Sequence, residues 1–421
     1  MNNILTIFSS AKSCLSSGIC FVVLMWLTSR SLILLVMLIV APLFPPPPSG
    51  QVAAFAWSTL ANWDGVAYTK IAVEGYLTEP SSAFFPLFPL LIRLGTLIHL
   101  SPAQAGVLVS AGSFLGALIL IYVWTEEMYG PNVARWATAL MAWCPFSLFG
   151  TVVYTEGLFL LLTIAALKLF ERHQYWFASL CGGLASATRL PGIVLSPTFL
   201  IVAFRERRSL QAYGVAFASS LGLVSYSLYN WQAFEEPLRF IHAQEYWNRE
   251  ELFWGQNWVR MFAQIIIGPA NTLNGGLVDP LHPLLIISLG IVAYAIWKHR
   301  LSLGKSRTEI SFIVLSVFFW LLGGDPLINS LMVLGGLSLV WLNRKTLTPL
   351  LLTYSILSFL LIFATGRTMS VERFSYGIMT LPIALTLSLR HFPRYSYATV
   401  IFFGVLLITY SLRFAYGLWV A

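Results

Sequence analysis

Residues 104–124 read QAGVLVSAGSFLGALILIYVW, a run without a single charge. An α-helix rises 1.5 Å per residue, so the run is long enough to cross a hydrocarbon layer about 30 Å thick. Apolar stretches of that order recur from Leu32 to Val420. The chain therefore reads as crossing a bilayer many times. Of 421 residues 57% are hydrophobic and only 10% are charged, where a soluble domain carries roughly 25% charge. Mean hydropathy is +0.77, and no water-soluble fold hides that much apolar surface.

The net charge of +8 does not point to nucleic acid, because Lys and Arg sit in short clusters between apolar runs instead of lining one polar face. Cys14, Cys20, Cys144 and Cys181 lie inside or beside apolar segments, with no pair at metal-ligand or redox spacing, and read as packing residues. The N-terminal apolar stretch, Ile19 to Trp26 and on to Phe44, lacks a small-residue cleavage site and reads as one uncleaved anchor.

Basic clusters orient the chain, since cytoplasmic loops are enriched in Lys and Arg. Arg205, Arg207 and Arg208 form one; Lys298, Arg300, Lys305 and Arg307 a second; Arg344 with Lys345 and Arg390 with Arg394 complete the set. With these inside, together with Lys12 and Arg30, the chain first exits near Pro45–Pro48, and Phe84–Leu100 must be re-entrant or interfacial. Further helices are expected near 104–124, 133–150, 155–170, 175–188, 190–204, 211–231, 281–298, 309–322, 326–341, 347–365, 376–390 and 396–418. The expectation is an all-α polytopic membrane protein of about 11–13 transmembrane helices, a single domain over 1–421. Its outer loops, about 45–103 and 232–280, would form one polar and aromatic face. Much of the Trp and Tyr there suits an interfacial belt, which leaves the carboxylates unexplained.

In the first outer loop, Trp63-Asp64-Gly65-Val66-Ala67-Tyr68-Thr69-Lys70-Ile71-Ala72-Val73-Glu74-Gly75-Tyr76 predicts a short interfacial helix with Trp63, Ala67, Ile71 and Glu74 near one face. Asp64 at its start can cap free backbone N–H groups or serve chemistry. Glu156 opens a later outer-side helix, either as an interfacial acid or as a ligand of sugar hydroxyls. Arg189 and Arg373 lie on the outer side, against the positive-inside trend, and each calls for an anionic partner. For Arg189 that partner is a phosphate or Glu156. Arg367 poses the same question, and Arg373 is the preferred phosphate ligand, with Glu372 a poor partner by helical position. In the second loop Gln244 and Trp247 are the candidates to contact sugar or acceptor, within a polar run that continues through Asn248, Arg249, Glu250 and Glu251.

Trp63-Asp64-Gly65, then Tyr68, Ile71-Ala72 and Gly75-Tyr76, resembles the first-loop motif of the PIG-V family of mannosyltransferases. So do Phe84-Phe85-Pro86-Leu87-Phe88-Pro89-Leu90-Leu91 and Tyr154-Thr155-Glu156 followed by Thr188-Arg189 and Pro191-Gly192. The resemblance covers the first half of the chain, and Gln244, Trp247 and 373–382 more loosely. It implies a GT-C-like fold and hexosyl transfer, mannose foremost, from a polyprenyl- or dolichyl-phosphate donor to a lipid-linked or glycan acceptor. It places a first-loop carboxylate, here Asp64, in an active site on the extracytoplasmic side of a bacterial plasma membrane or the ER membrane.

An acceptor hydroxyl loses its proton as it attacks the anomeric carbon, which one carboxylate can accept, and inversion needs no second base. Arg stabilises the departing lipid phosphate. The site so read is catalytic Asp64 and Glu156, with Trp63, Tyr68, Arg189, Gln244, Trp247 and Arg373 binding substrate. No Asp-x-Asp motif, histidine cluster or glycine-rich phosphate loop is present, so no metal, cofactor, nucleotide donor or nucleic acid is expected. The competing readings are a transporter or flippase, which would show two similar halves, and a lipid-linked oligosaccharide polymerase or ligase, which would carry its site in one large late loop.

Overall fold

The computed structural model describes residues 2–247 and 255–420, with side chains from residue 18 onward except that of Trp247. Asn248, Arg249, Glu250 and Glu251 lie outside the described residues. Everything described is helix, turn or loop, with no strand.

The chain begins with α1 (Asn2–Leu35), which continues through a π turn at Val36–Val40 to Leu43 before the proline run. In the first loop follow α2 (Asp64–Glu74) and α3 (Leu87–Thr96). Ten residues reach about 15 Å, half a bilayer core, so α3 alone is too short to span it. Next come α4 (Pro102–Tyr129), α5 (Pro131–Trp143), α6 (Glu156–Glu171), α7 (Tyr175–Thr188), α8 (Leu195–Arg205), α9 (Leu210–Ala218) and α10 (Leu221–Phe234). The remainder comprises α11 (Gln256–Ile267), α12 (Leu281–Lys298), α13 (Arg300–Ser330), α14 (Gly336–Leu342), α15 (Pro349–Ala364), α16 (Val371–Tyr376), α17 (Thr380–Leu389) and α18 (Pro393–Ala415).

Five segments are long and apolar enough to span: Gly18–Leu43, Pro102–Tyr129, Leu281–Lys298, Arg300–Leu342 and Pro393–Ala415. The other apolar helices are shorter, and several are interrupted where the sequence reading had one continuous span. Pro145 ends the expected 133–150 helix and turns Pro145–Gly150 into a 3-10 segment. Residues 211–231 divide into α9 and α10. Inside α13, Gly324 takes φ 55° and ψ −148°, a conformation that glycine adopts without strain, and breaks the helix between the two segments read as 309–322 and 326–341.

Local chemistry explains the long helices. Ser101 Oγ accepts from Gln104 N–H (3.3 Å) while Ser101 N–H donates to Gln104 Oε1 (2.9 Å), a capping box ahead of Pro102. Helices α4 and α6 meet closely because Gly157 has no side chain: a Cβ there would lie 2.3 Å from the Ser110 carbonyl oxygen. Gly157 follows Glu156, so this contact fixes the start of α6. One apolar core cluster runs from Val22 to Val420.

Three expectations change. Arg30 is no cytoplasmic loop charge; it is buried along α1, donating to the carbonyls of Ser147 (2.6 Å) and Ala142 (3.0 Å) and to Ser147 Oγ (2.7 Å), with its guanidinium 4.7 Å from the Phe114 ring. The end of α5 frees those carbonyls, and a charge count along the sequence cannot see them. Second, α2 buries Gly65, Tyr68, Ile71 and Ala72, not the Trp63/Glu74 face; Glu74 faces solvent beside Lys70 at 3.8 Å. Third, the long outer segment contains the amphipathic helix α11, which buries Trp258, Met261 and Ile265.

The two outer segments lie at the same end of the bundle. Tyr226 donates to the Ser82 carbonyl at 2.8 Å and Arg239 Nε to Ser82 Oγ at 3.1 Å.

Candidate active site

The first loop enters α2 through Trp63, whose φ of 57° and ψ of −121° are strained for a bulky residue. The C-terminal tail holds it there. Trp63 Nε1 donates to the Leu418 carbonyl (3.3 Å), its ring meets Trp419 edge-on at 5.2 Å, and Asn62 Nδ2 donates to the Phe414 carbonyl (2.7 Å). Asp64 therefore begins the helix without capping it, and no side chain caps at position 63. Its carboxylate turns to the opposite end of the sequence.

There Arg373 Nη1 donates to Asp64 Oδ2 at 2.8 Å. Arg373 Nε lies 3.5 Å from Glu156 Oε1, and the same oxygen accepts from Arg189 Nη1 at 2.5 Å. Two carboxylates and two guanidiniums thus alternate in one chain of contacts. Glu156 is 1% exposed in its side chain, Arg189 10%, Arg373 11% and Asp64 24%, so the chain is sealed at Glu156 and most open at Asp64.

Aromatic rings wall it. Phe149, Tyr154 and Phe374 stand 5.3–5.7 Å from the Arg373 guanidinium, and Phe374 also lies 5.2 Å from that of Arg189. Burial works against the Arg373 charge, but Asp64 and then Glu156 more than offset it, leaving its pKa above the ordinary value. The backbone N–H of Asp64 donates to the Tyr154 hydroxyl at 3.3 Å. One turn into α2, Tyr68 is 6% exposed and sits edge-on to Phe84 and Phe88. Burial, then the Asp64 carboxylate, pushes its hydroxyl above the usual phenol range, so it remains a proton donor.

The structure brings together Trp63, Asp64, Tyr68, Glu156, Arg189 and Arg373 from the sequence-derived set. Gln244 is occupied elsewhere: its Oε1 accepts from Arg367 Nη1 (3.3 Å) and its carbonyl from Nη2 (2.8 Å), which ties the second outer segment to the loop before α16. Trp247 closes the turn Ala243–Trp247, and its side chain lies outside the described part. Sequence reasoning missed Tyr154 and Trp419. Tyr154 could have been found, since it stands in the Tyr154-Thr155-Glu156 motif; nothing in the sequence flags Trp419.

Beside the cluster lies an apolar groove of about 870 Å³ between α7, α10 and the two first-loop helices. Along α7 it is lined by Trp176, Leu180, Gly183, Leu184 and Ala187, ending two residues before Arg189. Trp176 and Leu180 are 86% and 59% exposed, so the groove is open on its α7 side. Close backbone contact floors it: a Cβ on Gly222 would stand 2.1 Å from the Gly183 carbonyl oxygen. Among the described residues no three His, Cys, Asp or Glu side chains gather as a metal set.

The family described as Mannosyltransferase (PIG-V) matches residues 21–209. The chain is 33% identical over 172 residues to GPI alpha-1,6-mannosyltransferase 2 of Rattus norvegicus, covering 37% of this chain and 35% of that protein. It is 32% identical over 171 residues to the Homo sapiens protein of the same name, with the same coverage. Against GPI mannosyltransferase 2 of Cryptococcus neoformans it is 26% identical over 174 residues, 38% of this chain and 40% of that one. The matches thus take in about a third of the length of these relatives. Among solved structures, the oligosaccharyltransferase of Archaeoglobus fulgidus aligns over 92% of this chain and 53% of its own, with TM-score 0.44 and 14% identity. ArnT of Cupriavidus metallidurans aligns over 97% and 78%, with TM-score 0.42 and 15% identity. The first-half motifs thus have their counterpart in an independent match over the same stretch, and across residues 21–209 this chain is PIG-V-like.

Proposed function

We propose that the protein is a membrane-embedded glycosyltransferase of the GT-C class that moves a hexose from a polyprenyl- or dolichyl-phosphate donor to a lipid-linked or glycan acceptor, with inversion, at the extracytoplasmic face. One observation carries the reading: the charged chain Asp64–Arg373–Glu156–Arg189 and an open apolar groove are built on the same two helices, α2, which Asp64 begins and which lines the groove with Ile71 and Ala72, and α7, whose groove-lining Ala187 stands two residues before Arg189. The groove suits an isoprenoid chain lying along α7, which delivers a phosphate head toward Arg189. The matched relatives are GPI mannosyltransferases, which favours mannose.

In this reading Asp64 is the base. Arg373 holds its Oδ2, which leaves Oδ1 to accept the proton from the acceptor hydroxyl as the new C–O bond forms at the anomeric carbon. The bond from that carbon to the phosphate oxygen breaks, and the oxygen leaves with the electron pair. Arg373 and Arg189 meet its growing charge, with Glu156 fixing both guanidiniums in advance. Trp63 and Tyr68 flank the sugar. The extracytoplasmic assignment rests on the basic clusters and on the two outer segments sharing one end of the bundle.

The test is a screen of polyprenyl-phosphate mannose and glucose against lipid-linked and free glycan acceptors, with the purified protein in detergent and EDTA. Transfer from a lipid phosphate donor, with inverted linkage read by glycosidase sensitivity, is the expected result. Transfer only from a nucleotide sugar, or none, overturns the reading.

A further inference from the structure

A second pocket of about 280 Å³ lies between α11, the segment of α13 beyond the Gly324 break, and the loop before α16. At about 30 Å³ per water it holds roughly nine waters' worth of space, enough for one six-membered ring with its hydroxyls. Its side chains differ in kind from the apolar groove. Asn257, Arg260 and Gln264 come from one wall of α11, Asp325 and Asn329 from α13, and Thr368 from the loop.

The mixture specifies a ligand. The Asp325 carboxylate is paired with Arg413 Nη1 at 3.3 Å, so the ligand is read from the amides and the hydroxyl. Three amides and a hydroxyl supply donors and acceptors together, which matches groups that also do both, namely the vicinal hydroxyls of a sugar or polyol. The pocket is also built. Asn329, its amide nitrogen turned to two acceptors, donates to Glu372 Oε2 (2.9 Å) and to the Asp325 carbonyl (3.2 Å). Glu372 is 5% exposed and is the neighbour of Arg373, which reaches Asp64. Short helix α16 therefore carries the pocket's rear support on one residue and the Asp64 ion pair on the next.

We propose that this pocket binds the sugar or polyol ring of a hydroxyl-rich acceptor and so sets which hydroxyl is presented to Asp64. The proposal rests on the transferase reading only for that last clause; the binding stands by itself. Gln264, Asn257 and Thr368 read its hydroxyls.

Methyl α-mannoside and myo-inositol serve as probes, with binding to the full-length protein in detergent followed by saturation-transfer NMR. Both bind the parent and the Asp64→Asn variant alike, and binding weakens at least tenfold in Gln264→Leu and in Asn329→Leu. Should Asn329→Leu fail to fold because it strands Glu372, Gln264→Leu and Thr368→Val, which do not touch Glu372, carry the test. Absence of probe binding to the parent, or binding that survives the pocket variants, overturns the proposal. Absence of glycosyl transfer with probe binding intact overturns the transferase reading instead. Transfer whose acceptor KM ignores Gln264→Leu leaves that reading standing and removes this one.

Discussion

Arg373 and Asp64, 309 residues apart in sequence, meet at 2.8 Å where the last third of the chain folds back onto the first loop. The contact answers what anion holds Arg373: a carboxylate from α2, with a second from α6 at 3.5 Å. Asp64 is therefore not a helix cap, and its position depends on distant parts of the chain.

Replacing Asp64 by Asn keeps the side-chain shape and an oxygen that can accept from Arg373 but removes the carboxylate that takes the proton of the attacking hydroxyl. The expected outcome is a folded protein whose single-turnover rate falls by roughly 10²-fold or more. Near-normal turnover with a lowered melting temperature would show a structural carboxylate.

Arg373→Ala leaves Asp64 and the sealed Glu156 without the cation between them. Removing one member of a buried pair costs about 3–5 kcal/mol, so this variant melts lower as well as losing donor affinity. Arg373→Lys keeps the charge without the planar fork and restores part of both. Equal donor binding in parent, Lys and Ala variants assigns Arg373 to structure and makes Arg189 the phosphate ligand.

The spans were legible because uncharged runs of that length have one physical solution. Arg189 and Arg373 were legible as charges set against the positive-inside trend, and Asp64 and Glu156 through the motifs that resemble the PIG-V family. Their pairing was not, since spacing carries no information about contacts across 33 or 309 residues. Which face of α2 is buried was not legible, because its packing partners, Phe84 and Phe88, lie beyond the helix itself. Arg30 was misread because positive charge near a helix end looks alike whether it faces water or caps a broken helix inside the bundle.

Glu372 gives a pH test. Burial raises its pKa from 4.5 to about 7, against smaller opposing effects of a backbone hydrogen bond and Arg373. An acid with a raised folded pKa binds a proton in the folded state that the unfolded chain has released. Stability from this group is therefore highest below pH 4.5, declines as pH rises toward 7 and is flat above, a change on the order of 3 kcal/mol. Glu372→Gln should flatten that part of the profile and be the more stable protein at pH 8. A parent whose melting temperature rises between pH 5 and pH 7.5, with Glu372→Gln unchanged from it, contradicts the assignment.

Orientation is open to labelling. Ser82 is fully buried beneath Arg239 and is a poor reporter, whereas Thr78 and Ser209 are exposed. With Cys20 replaced by Ser, cysteine at 78 should react with an impermeant thiol reagent applied outside intact cells, and cysteine at 209 only after permeabilisation. The reverse pattern moves the whole site to the cytoplasm.

Glu156 separates orientation from binding. Its Oε1 serves both Arg189 and Arg373, while Oε2 has no protein partner. Glu156→Gln keeps an oxygen for one guanidinium but takes the cluster from no net charge to one positive charge. A phosphate arriving from the groove meets a stronger attraction, so donor affinity holds or rises. The guanidiniums, no longer fixed by one shared carboxylate, lose the preorganisation that favours the transition state, and turnover falls roughly tenfold or more. Donor Kd and single-turnover rate, measured side by side in Glu156→Gln, should move in opposite directions or the rate alone should move. If both are lost together while the melting temperature is kept, Glu156 touches the sugar itself, and the alternation of charges is a binding surface for its hydroxyls.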